Sequence, residues 1–128
     1  MTTDTNPHAG VSSLADCLTD QMTPPEAAVA VEGCWAHAEA VLAPVVGSIG
    51  MGVLFRRGVQ AAIDVVPRLD RPDIERSIAG FGAWVRGMDA TQALSACRAF
   101  LQAVESYLLA LAGQDLVVRW LGPARNPA

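Results

Sequence analysis

The sequence predicts an all-α fold, an irregular helical bundle of four main helices plus one or two short helices. Three observations predict it. Apolar residues recur at spacings of three and four along most of the chain, the period of one helical face. Capping residues stand just before those runs, and prolines or glycines just after them. No run alternates apolar with polar residues between hairpin turns, as a half-buried strand would.

The elements follow in order. Residues 1–11 read as a disordered tail, residues 12–122 as a single helical domain, and residues 123–128 as a frayed C-terminal tail. Ser12 or Ser13 is placed to cap a short helix over Leu14, Cys17 and Leu18, ending near Met22. Thr23-Pro24-Pro25-Glu26 has the form of a capping box, with proline at the first helical position and glutamate three residues after the cap. The helix it opens is expected to run to about Ala43, where Pro44 stops it. Val31, Trp35, Ala38 and Leu42 share its inner face. The opposite face holds Val29, Gly33, Ala36 and Ala40, small side chains beside which a second backbone can pack closely.

Ser48 is placed to cap a second long helix reaching about Val66, with Met51, Leu54, Phe55, Val59 and Ala62 inward and Arg56, Arg57 and Gln60 outward. Asp70-Arg71-Pro72-Asp73 reads as the start of a third, along which Ile74, Ile78, Phe81, Val85 and Met88 recur, although Gly80 and Gly82 weaken it. Asp89-Ala90-Thr91-Gln92 reads as a second capping box. It opens the clearest helix, which carries a broad stripe of Leu94, Cys97, Leu101, Val104, Leu108 and Leu111 to about Ala112, with Gly113 as its C-cap. Residues 115–121 have the composition of a last short helix that turns Trp120 inward.

Composition narrows the function. Of 128 residues, 52% are hydrophobic and 17% charged, which favours a packed core over disorder. The net charge of −4 and the lack of a basic stripe argue against nucleic acid. Every cation is arginine, as high-GC coding favours. Residues 1–55 carry acids without any arginine, whereas all nine arginines fall in residues 56–128. The simplest reading is intramolecular, with an acidic first helix against a basic later one. Cys17, Cys34 and Cys97 are odd in number and widely spaced, which argues against a disulfide framework and fits a reducing cytoplasm. The first ten residues lack the basic and apolar regions of a signal peptide. Residues 40–55 are uncharged and precede Arg56-Arg57, but a span needs about 20 apolar residues. The stretch contains Pro44, Gly47, Gly50 and Gly52, so a buried helical corner is the simpler expectation, without a membrane.

No catalytic or metal set assembles. Cys34 and His37 share a helix edge at a spacing that can grip a metal, but no second pair completes a site. No cofactor is expected. Gly47-Ser48-Ile49-Gly50-Met51-Gly52 lacks the lysine of a phosphate-binding loop. The candidate ligand-binding residues are Arg56 and Arg57, a cationic pair able to clamp a phosphate or carboxylate, with Trp35 as an aromatic wall. The candidate interface residues are Val29, Gly33, Ala36 and Ala40, joined by Leu109, which lies off the main stripe of its helix.

The stretch Val41-Leu42-Ala43-Pro44-Val45-Val46-Gly47-Ser48-Ile49-Gly50, continued by Leu54-Phe55-Arg56-Arg57, resembles a pattern in small all-helical proteins of high-GC proteobacteria. Leu108-Leu109-Ala110-Leu111 with Val117-Val118-Arg119-Trp120-Leu121 resembles their C-terminal end. The resemblance implies a bacterial helical protein and assigns no residue roles. The expectation from the sequence is a non-enzymatic, homodimeric protein–protein interaction module with a regulatory role. The alternative is a binder of a small apolar or anionic ligand in a bundle cavity.

Overall fold

The structure is a computed structural model that describes residues 14–66 and 77–113. The expected tails, the helix start at residues 70–73 and the short helix at 115–121 with Trp120 lie outside the described residues. The described residues form a 3-10 helix, Leu14–Cys17, then α1 (Pro24–Val65), α2 (Ile78–Arg86) and α3 (Ala90–Ala112). All of the regular structure among the described residues is helical, as expected.

The number of main helices differs from the expected four: the described residues contain three. The difference lies in α1. Pro44 does not end the first helix but sits inside it. Proline removes one backbone donor, whose intrahelical acceptor would be the carbonyl four residues earlier. Here that residue is Ala40, which is exposed, so water can satisfy its carbonyl. Helical hydrogen bonding therefore carries on past the proline.

The chain nevertheless turns within α1. Gly47 has φ 77° and ψ 173°, outside the helical region. Residues 35 and 55 of a straight helix would stand about 30 Å apart. Instead the rings of Trp35 and Phe55 have centroids 5.4 Å apart. Hence α1 is a helical hairpin, with a first arm before Gly47 and a second arm after it.

Its start is as expected. The Thr23 hydroxyl accepts the Glu26 N–H at 3.3 Å, and the Glu26 carboxylate accepts the Thr23 N–H at 2.9 Å. The first arm buries Ala27, Ala28, Val31, Trp35, Ala38 and Leu42, and the second buries Met51, Leu54, Phe55, Gly58, Val59 and Ala62. The helix expected from residue 71 is described only from Ile78, after the Ser77 cap, whose hydroxyl accepts the Gly80 N–H at 3.1 Å. At the head of α3 the Asp89 carboxylate accepts the Gln92 N–H at 2.8 Å. Gly113, at φ 84°, closes that helix through its N–H to the Leu109 carbonyl.

Phe100 is the hub of the core. It is wholly buried, and its ring lies 4.6 Å from Phe81, 5.6 Å from Phe55 and 5.8 Å from Trp35 between centroids. These tilted and edge-to-face contacts join both arms of α1 to α2 and α3. Gly58 makes room for the hub. A Cβ on Gly58 would stand 2.6 Å from the Phe100 ring, so only glycine lets the second arm come this close.

The charge asymmetry is met within the chain. Arg86 of α2 forms a two-pronged pair with Glu32 of the first arm, at 2.9 and 3.1 Å. Arg98 of α3 reaches Asp20 at 3.2 Å. In both pairs an acid from the arginine-free part meets an arginine from the later part.

Candidate functional site

The turn at Gly47 splays the two arms and leaves a cleft between them and the start of α2. Trp35, Glu39 and Ala43 of the first arm line it, with Ser48, Met51, Gly52, Phe55 and Arg56 of the second arm and Ser77 and Ile78 beyond. Its volume is about 490 Å³, within the range of small-ligand sites. The floor is apolar: Trp35, Met51 and Phe55 are buried, and the Trp35 and Phe55 rings pack on each other. The rim is polar, with two hydroxyls, the Glu39 carboxylate and the exposed Arg56 guanidinium. The N-terminus of α2 adds positive potential, because its first backbone donors have no partner within the helix.

The arginine pair divides. Arg56 lines this cleft with Trp35, so two of the three expected ligand-binding residues come together. Arg57 points elsewhere. Its guanidinium lies 4.5 Å from the centre of the Tyr107 ring on α3, a cation–π contact. Arg57 and Tyr107 line a shallower groove with Gln60 and Asp64, which are hydrogen-bonded to each other at 3.0 Å. Neighbours on a helix are turned about 100° apart, so the adjacency of the two arginines did not imply one clamp.

The expected interface residues Val29, Gly33, Ala36 and Ala40 are all exposed, on the side of α1 away from its buried face. Val29 is 61% exposed, and a Cβ on Gly33 would meet nothing within 4 Å. Leu109 is 39% exposed on α3. None of the described residues covers the Gly33 position.

Cys34 and His37 do not act as a pair. Cys34 turns toward Cys17, with the two sulfurs 3.3 Å apart, a proximity their spacing in the sequence did not suggest. His37 Nε2 is buried without a hydrogen-bond partner among the described residues. No group of three His, Cys, Asp or Glu side chains able to hold a metal occurs among them. By length and composition α1 is apolar enough to cross a bilayer, but its turn at Gly47 makes it two arms rather than one rod.

Cys97 is the third thiol and is wholly buried. Burial first, and the charge of Glu32 second, push its pKa from an ordinary 9.0 up to about 12. The folded state therefore holds this proton after the unfolded chain has released it. Stability from the protonated thiol is complete below pH 9.0 and is lost as the pH rises from there towards about 12. Urea unfolding over a pH series that runs upward from 9.0 should show this decline, and Cys97→Ala should flatten it. An equal decline in both proteins would assign it to other groups.

Comparison with family models, curated proteins and solved structures found no match to the chain.

Proposed function

We propose that this protein is a non-enzymatic binding module whose hairpin cleft takes a small amphipathic ligand with an apolar body and an anionic end. One observation carries the reading: the turn at Gly47 places a buried aromatic floor beneath Arg56 and the α2 N-terminus in a cleft of about 490 Å³. The body of the ligand lies against Trp35, Met51 and Phe55. Its anionic end is met by Arg56 and the helix start. Glu39, on the facing wall, repels a second anion and accepts a hydrogen bond from a donor on the ligand.

The test uses anilinonaphthalene sulfonate, an apolar anion, as the probe, followed by tryptophan and probe fluorescence. Saturable binding with one probe per chain is expected. Arg56→Ala should weaken it roughly 3–10-fold, consistent with one partly exposed charge-assisted contact. Arg57→Ala, on the other side of the arm, should leave it unchanged. Equal losses in both variants, or binding that never saturates, would overturn the reading.

A second reading has its own support. The exposed line Val29, Gly33, Ala36 and Ala40 fits a homodimeric interaction module, because the open space at Gly33 lets another helix approach closely. Native mass spectrometry of the same sample separates the two. A single chain carrying the probe favours the cleft, and twice the chain mass without it favours the interface.

A further inference from the structure

Cys17 and Cys34 are 17 residues apart, with sulfurs 3.3 Å apart. Cys17 ends the 3-10 helix Leu14–Cys17, and Cys34 lies in the first arm of α1. Both are partly exposed, in contrast to the wholly buried Cys97. The Cys34 thiol reaches the Cys17 sulfur and, at 3.4 Å, the Leu14 carbonyl. The sulfurs of a disulfide lie about 2.05 Å apart, so bond formation needs a closure of little more than about 1 Å.

The N-terminal segment is suited to that closure. It is one short 3-10 turn rather than a long helix. Leu14 and Leu18 anchor it in the core, the Leu14 N–H donates to Glu105 at 3.3 Å, and the Asp20–Arg98 pair is exposed. An exposed ion pair of this kind contributes little. One partner therefore sits on the long helix α1 and the other at the end of a short 3-10 turn packed beside it.

We propose that Cys17 and Cys34 form a reversible intramolecular disulfide, a redox modification site that fastens the N-terminal segment to α1. The inference is independent of the ligand cleft. The oxidant is a low-molecular-weight disulfide of the glutathione type. One protein thiolate attacks a sulfur of that disulfide, forming a mixed disulfide and expelling one small thiolate. The second protein thiolate then attacks the protein sulfur of the mixed disulfide and expels the other small thiolate. The protein dithiol loses two electrons and two protons, and the oxidant becomes two small thiols. Cys97, buried with its proton held, takes no part.

The oxidised chain loses the freedom of the loop between the two cysteines when unfolded. It should therefore melt about 5–10 °C higher than the reduced chain. The experiment incubates the reduced full chain with oxidised glutathione, traps remaining thiols by alkylation under denaturing conditions, and measures intact mass, linked peptides and melting temperature. The expected product has one alkylated cysteine, Cys97, and a peptide joining Cys17 to Cys34, with no glutathione retained. A reducing agent should restore all three thiols. Cys17→Ser and Cys34→Ser should each trap a stable glutathione adduct on the remaining partner, and Cys97→Ala should oxidise as the parent does. A glutathione adduct that persists on the parent chain, a bond between two chains, or an unchanged melting temperature would overturn the proposal. The parent chain alone decides this if a variant does not fold.

Discussion

Phe100→Ala should cost about 3–5 kcal/mol of folding stability, the range for emptying a large buried aromatic site. Whole domains are stable by only about 5–15 kcal/mol, so the variant should stand near the edge of folding. The reason is its position rather than its size alone. Phe100 touches aromatic rings from both arms of α1 and from α2, so its loss loosens three helical segments at once. Gly58 supplies an internal check. Alone, Gly58→Ala should be destabilising, because its Cβ would stand 2.6 Å from the Phe100 ring. Overpacking costs about 1–3 kcal/mol, against about 1 kcal/mol gained in helix propensity. In the Phe100→Ala background the same Cβ enters empty space, so Gly58→Ala should become neutral or stabilising. Urea unfolding followed by helical circular dichroism measures all three variants. A loss below about 1 kcal/mol for Phe100→Ala would show that the hub is not the centre of the core.

How much of this was legible in the sequence follows from the range of each signal. Local signals read well. The capping box at Thr23, the Asp89 cap, the Gly113 terminus and the inward faces of α1 and α3 were visible, because each rests on residues within one or two turns. The exception is Leu111, expected on the inward stripe of α3 but 63% exposed in its last turn. Signals that depend on partners did not read. Gly58 carried no signal of its own in the sequence, and its purpose exists only in the Phe100 ring beside it. Cys17 and Cys34 looked unrelated, and only the return of the N-terminal segment onto α1 brings their sulfurs together. Pro44 misled because its usual effect is local, yet Ala40, whose carbonyl loses the donor, is an exposed residue that water can reach, which makes the interruption cheap. The ligand cleft was half legible: Trp35 and Arg56 were chosen for their chemistry, but Glu39, Ser48 and Ser77 join them only through the fold.

The hairpin itself hangs on one backbone conformation, and two glycines of α1 separate that cause from side-chain volume. Gly33 and Gly47 both have open space where a Cβ would go. Volume alone predicts that alanine is tolerated at either position. Backbone geometry predicts opposite results. Gly33 is helical, so Gly33→Ala should stabilise the chain by up to about 1 kcal/mol through helix propensity. Gly47 sits at φ 77° and ψ 173°, a region nearly closed to other residues and worth about 1–3 kcal/mol in strain. Gly47→Ala should therefore destabilise the hairpin by about that amount. It should also favour the straight continuation of α1, in which Trp35 and Phe55 separate by about 30 Å and the core can be completed only by the arm of a second chain. The expected result is a lower melting temperature together with a dimer fraction that rises with concentration on size exclusion. The fraction that stays monomeric keeps the hairpin and its aromatic floor, and so should keep cleft binding of the probe. A monomeric Gly47→Ala chain as stable as the parent would mean that the turn is held by the packing of the arms and not by the glycine.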